Sequence, residues 1–189
     1  MRRIFKQIQS KTIVEVLKDG IKDNGIKLIL AYDKPNSILN EETQVKYSKN
    51  IFSVMRQVHF SLKNEKSLDM VLFLNGLPII TLELKNELTG QNVNDAKEQY
   101  KNDRDPREEL FKFGRCLVHF AVDTSLVFMT TKLNGAKTFF LPFNKGLNAG
   151  TAEKGVKKGA GNPPSNGVKT AYLWENIFYK DTLIDIVKN

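Results

Sequence analysis

The sequence predicts a mixed α/β domain, and three observations predict it. Helical periodicity opens and closes the chain, period-two and all-apolar runs fill residues 52–85, and further apolar runs follow an exposed helical pattern at 92–104. With 189 residues, 41% hydrophobic and 26% charged, the chain is long enough for one real core and has an ordinary globular balance.

Ile4, Ile8, Ile13, Val16 and Leu17 among polar residues predict a helix over 4–19, ending near Gly20. A short apolar segment, 27–32, reads as a strand. Pro35 and Asn36 mark a turn, and Asn40-Glu41-Glu42 a helix start. Residues 52–61 alternate, with Val54, Val58 and Phe60 on one face and Gln57 and His59 on the other. Two apolar runs, 68–74 and 78–85, meet at Asn75-Gly76, a strong hairpin signal. After the 92–104 helix, strands are expected at 116–122, 126–131 and 136–141, and a short helix at 181–187.

Residues 144–169 stand apart. They hold six glycines, Pro163-Pro164, five lysines and one acid. That composition predicts a flexible basic loop or linker, with Lys154, Lys157 and Lys158 available to a DNA backbone. The expected division is thus a folded unit at 1–143, a Gly/Lys-rich loop at 144–169 and a C-terminal segment at 170–189. The last segment has no stop signal and looks cut from a longer chain.

The net charge of +8 favours polyanionic partners without specifying them. Two histidines and one cysteine exclude most zinc sites and Cys–His catalysis, so a metal here would be held by oxygen ligands, which suits Mg²⁺ or Mn²⁺. Cys116, in the run Cys116-Leu117-Val118, reads as a buried small hydrophobe. No apolar run of membrane-spanning length and no signal peptide is present, and a cytoplasmic protein is the expectation.

Candidate chemistry lies in the two apolar runs. Glu83 and Lys85 share a strand face, with Leu82 and Leu84 opposite. The preceding strand carries a single charge, Asp69, among Leu68, Met70, Val71, Leu72 and Phe73. Charges inside strands so apolar are costly unless something holds them. Two carboxylates can hold Mg²⁺, which neutralises a phosphate oxygen and acidifies a bound water, and a lysine can stabilise the developing negative charge. A buried ion pair that plugs the sheet is the alternative.

Register tests the first reading. A two-residue Asn75-Gly76 loop pairs 74 with 77 and turns Asp69 and Glu83 to opposite faces. A three-residue loop, with Gly76 left-handed at a bulge, places Asp69 opposite Thr81 and diagonal to Glu83. The chemistry therefore calls for the longer loop.

At these residues the sequence resembles a known family. The run 68–78, then Thr81-Leu82-Glu83-Leu84-Lys85-Asn86, resembles the nuclease domain of type I restriction enzyme R subunits. So do Arg56-Gln57-Val58 and Asp103-Arg104-Asp105-Pro106-Arg107-Glu108, and Gly159 to Pro164 and Thr170 to Glu175 are similar to one branch of that family. The resemblance spans about residues 13–189. It implies a restriction-endonuclease-like PD-(D/E)xK fold, a mixed central sheet flanked by helices. It implies metal-dependent hydrolysis of double-stranded DNA, with Asp69, Glu83 and Lys85 catalytic and Asp69 and Glu83 holding Mg²⁺ or Mn²⁺. Specificity and methyltransferase subunits are the implied partners, and ATP would serve only motor domains that this chain lacks. A non-catalytic DNA-binding or assembly module of the same complex is the competing reading.

Two departures from the family pattern stand out. Family members often carry Q-x-x-x-Y on the helix after E-x-K. Gln99 matches its start as a supporting residue, but Asp103 stands where the tyrosine belongs, and Tyr100 is expected to point elsewhere. An early-helix acid is also common, and Glu15 is the candidate. Arg104 and Arg107 either grip phosphates or pair with Asp103, Asp105 and Glu108. His59 and His119 read as hydrogen-bonded structural histidines, and Trp174 as a packing anchor.

Overall fold

A computed structural model of the chain describes residues 2–37, 39–146 and 160–188. Its centre is a six-stranded sheet in the order β3-β4-β5-β6-β7-β8, built from β3 (Phe52–His59), β4 (Ser67–Leu74), β5 (Leu77–Leu84), β6 (Val118–Val122), β7 (Val127–Thr130) and β8 (Leu141–Pro142). Only β5 and β6 run parallel. The connection between them carries α4 (Val93–Asp103), as a parallel pair requires a crossover.

Alternation along the strands sorts two cores. On one face Leu72, Leu74, Ile80, Leu82, Phe120 and Val122 pack with residues of α2 (Ile13–Asp19) and α5 (Lys180–Lys188). On the other, Val71 and Ala121 pack with Val93, Ala96 and Tyr100 of α4. Each fully buried aliphatic side chain contributes roughly 1.5–3 kcal/mol, so both layers are held by burial. The site residues belong to the α4 face.

The predicted 4–19 helix is two helices, α1 (Arg2–Ser10) and α2. Thr12 breaks it, because Thr12 and Glu15 form a reciprocal capping box that starts α2 afresh. A small hairpin of β1 (Ile21–Asp23) and β2 (Ile26–Leu28) follows, and α3 (Glu41–Ser48) starts behind the Asn40 cap as its sequence suggests. The expected 136–141 strand is a turn with only Leu141–Pro142 paired. The Thr138 hydroxyl donates to the Gly135 carbonyl and accepts from the Asn134 N–H, and this local bonding competes with the ladder.

Described residues at both ends of the 144–169 stretch bond to the fold. Asn162 is fully buried, accepting from the Lys145 N–H and donating to the Ser125 carbonyl, and Lys169 N–H bonds to Thr124. Lys154, Lys157 and Lys158 lie outside the described residues. Trp174, expected to be a packing anchor, is half exposed beside Val54 and Phe178. Cys116 is buried, and burial pushes its thiol up to about 12. No helix among the described residues is long and apolar enough to cross a membrane.

Candidate active site

The β4–β5 hairpin solves the register problem by a route the sequence does not announce. Asn75 and Gly76 form a two-residue loop, with φ +50° and +81°, between paired Leu74 and Leu77. Taken alone, that loop would separate the two carboxylates. Ile79 then stands as an extra residue in β5, since Phe73 pairs with Pro78 but Leu72 pairs with Ile80. The bulge restores the parity that the loop removes. One step beyond the Met70–Leu82 pair, Asp69 comes level with Glu83, while Thr81 faces Val71.

The two carboxylates therefore meet on one face, and neighbours fix each differently. Asp69 Oδ2 accepts the Leu84 N–H at 2.8 Å, and Oδ1 accepts the Gln57 amide at 3.4 Å. Glu83 is fully buried. Its Oε1 accepts Arg104 Nε at 2.6 Å, and Oε2 has no hydrogen-bond donor among the described residues. Burial pushes Glu83 up to about 7, Arg104 opposes the rise, and the charge and hydrogen-bond reach of Asp69 add to it.

Arg104 ends α4 and is itself 3% exposed. Its guanidinium also donates to the Ser67 carbonyl at 2.9 Å and lies over the Phe60 ring. It pairs with Glu83, not with the acids beside it in sequence, and it does not present itself to a phosphate. Arg107 is exposed and forked onto Asp105, whose carboxyl it holds down at about 2. Arg104 is the principal residue that sequence reasoning misplaced. An arginine set between Asp103 and Asp105 in a polar connection gave no sign of a buried partner.

Lys85 follows the last residue of β5, and its N–H bonds to the Val122 carbonyl, so the extended backbone continues and alternation carries Lys85 to the Glu83 face. Its ammonium forms no ion pair among the described residues. Gln99 is partly buried on α4, and its Oε1 lacks a donor among the described residues. Tyr100, expected to point away, is fully buried against the same face. Its hydroxyl meets Thr81 Oγ1 at 2.8 Å, which meets His119 Nδ1 at 2.7 Å. Burial lowers His119 to about 4, leaving a neutral structural histidine. His59 is exposed, 3.8 Å from Glu65. Glu15 caps α2.

Among the described residues no group of three or more His, Cys, Asp or Glu side chains gathers as a metal cage. Two converging carboxylates, one with a buried oxygen lacking a donor, suit a cation that keeps most of its own waters. Mg²⁺ is commonly bound through one or two carboxylates.

No curated protein matches the chain. A family model described as "Type I restriction enzyme R protein N terminus" matches residues 1–138. That span holds Asp69, Glu83, Lys85, Gln99 and Arg104, and the mixed sheet flanked by helices is the restriction-endonuclease-like architecture. The match covers well over half of the 189 residues, and the chain belongs to the family of type I restriction enzyme R protein N-terminal domains.

Proposed function

We propose that this domain hydrolyses phosphodiester bonds of double-stranded DNA, with Mg²⁺ or Mn²⁺ held by Asp69 and Glu83. The supporting observation is the placement of two carboxylates level with each other on adjacent strands, one of them fully buried and pushed up to about 7. Like charges so close are unfavourable unless a proton or cation separates them. A bound divalent cation supplies charge neutralisation at the phosphate.

The chain's own residues do the rest. The Leu84 N–H holds the Asp69 carboxylate beside Glu83. Arg104 fixes one Glu83 oxygen and leaves the other without a donor among the described residues, available to a cation. Lys85, without an ion-pair partner among the described residues, donates to the phosphate oxygen on which charge develops. Its partners are double-stranded DNA and the specificity and methyltransferase subunits of a restriction complex, and the setting is cytoplasmic.

One observation favours a second reading, a non-catalytic DNA-binding or assembly module. The Glu83–Arg104 pair is as buried as a structural plug. Cleavage of supercoiled plasmid by the assembled enzyme across a Mg²⁺ series separates the two. Metal-dependent nicking that disappears in Asp69→Asn supports the nuclease. Undiminished cleavage in that variant assigns the cut to another site.

A further inference from the structure

Gln57 is the one described residue other than glycine and asparagine with a left-handed backbone, φ +52°. Asn24 and Asn75, the other two non-glycine cases, sit in hairpin turns where that conformation is normal. Gln57 sits inside an edge strand. Arg56 pairs with Met70 and Val58 with Leu68, yet Gln57 and Asp69 between them do not pair. The strand thus bears a strained dihedral and a missing ladder pair at one residue.

The strained residue faces Asp69. Ser67 Oγ donates to Gln57 Oε1 at 3.0 Å, and this turns the amide nitrogen toward Asp69 Oδ1 at 3.4 Å. Ser67 is also the residue whose carbonyl receives Arg104. Gln57, Asp69 and Glu83 lie in one row across three strands, and Asp69 is held from both sides, by Gln57 and by the Leu84 N–H.

We propose that Gln57 is a positioning residue whose amide aims the Asp69 carboxylate at the cation shared with Glu83. This rests on the nuclease reading above. Partners that orient metal-binding carboxylates typically change metal affinity about 10–100-fold when removed. The register sets Gln57 across from Asp69, and the left-handed backbone with the Ser67 hydrogen bond directs its amide onto that carboxylate.

The test measures Mn²⁺ binding by electron paramagnetic resonance, together with melting temperature, on the 189-residue chain and three variants. Glycine accepts the left-handed backbone freely. Gln57→Gly should therefore melt no lower than the parent yet bind Mn²⁺ at least about tenfold more weakly. Asparagine also tolerates that backbone but is one methylene shorter, so Gln57→Asn should show the same loss. Retained affinity in either variant, or a fall in melting temperature that tracks the loss, overturns the role assigned to Gln57. Asp69→Asn separates the two levels: unchanged Mn²⁺ binding there sinks the nuclease reading itself, whereas lost binding there with full binding in Gln57→Gly sinks only the Gln57 inference.

Discussion

Glu83 and Arg104 form a buried ion pair between β5 and the end of α4, 2.6 Å from Oε1 to Nε, with side chains 0% and 2% exposed. Breaking such a pair leaves a lone charge in a low-dielectric site, which costs about 3–5 kcal/mol, while replacing both partners with apolar groups is often neutral. We expect Arg104→Met to lose stability approaching that order in urea denaturation above about pH 8, where the Glu83 carboxyl is ionised, and little below about pH 6. The double variant Glu83→Met with Arg104→Met should recover most of it. Equal losses in the single and double variants would mean that packing, not charge, governs this seam.

The stability of the domain should carry two opposed pH signatures. Glu83 is raised from 4.5 to about 7, so its contribution is fully present below about 4.5 and is lost as pH rises through about 7. His119 is lowered from 6.5 to about 4, so its contribution is present above about 6.5 and is lost as pH falls toward about 4. A tenfold change in proton affinity corresponds to about 1.4 kcal/mol, so each contribution amounts to about 3 kcal/mol. Between pH 4.5 and 6.5 the two offset one another. We expect Glu83→Gln to unmask a steep acid loss over that range and to flatten the parent's decline above pH 6.5. Parallel denaturation midpoints for parent and variant from about pH 4.5 to about pH 7.5 would show that Glu83 does not titrate there.

On the proposed nuclease reading, cutting and the motor activity that the family resemblance implies should separate. In the assembled enzyme, Glu83→Ala should abolish cleavage, and Lys85→Ala should lower it by roughly 10²–10³-fold, the usual effect of removing one charge-stabilising donor. DNA-stimulated ATP hydrolysis should stay close to the parent in both. A folded variant that loses ATPase would tie these residues to assembly or the motor.

Much of this site was legible in the strands. Apolar runs with isolated charges named Asp69, Glu83 and Lys85, and Asn75-Gly76 named the hairpin. The bulge at Ile79 was not legible, because an extra residue inside an apolar run changes parity without changing composition. Arg104 was misread because its place in a polar run with Asp103, Asp105 and Glu108 suggested either a phosphate grip or local pairs, whereas burial of Glu83 demanded a long-range cation. Tyr100 was misread for a related reason. Relative to a motif template its position looked wrong, yet the helix face shared with Ala96 turns it into the core. Gln57 carries no local sign of its left-handed backbone, which only the site's geometry reveals.

DNA binding by the chain alone should be weak, insensitive to sequence and steeply dependent on salt. Its charge of +8 favours phosphate contacts, and no helix-turn-helix or zinc-finger pattern offers base readout. Affinities for several unrelated duplexes between about 50 and 200 mM salt should fall together by orders of magnitude. Tight binding to one duplex that persists at high salt would be incompatible with backbone recognition.

If Asp69 and Glu83 jointly hold a divalent cation, anomalous diffraction from crystals grown with Mn²⁺ will locate it. We expect one strong peak between the two carboxylates, with Glu83 Oε2 among the ligands and Arg104 still on Oε1. A Mn²⁺ peak elsewhere, or none at saturating metal with the Glu83–Arg104 pair intact, would contradict the shared site.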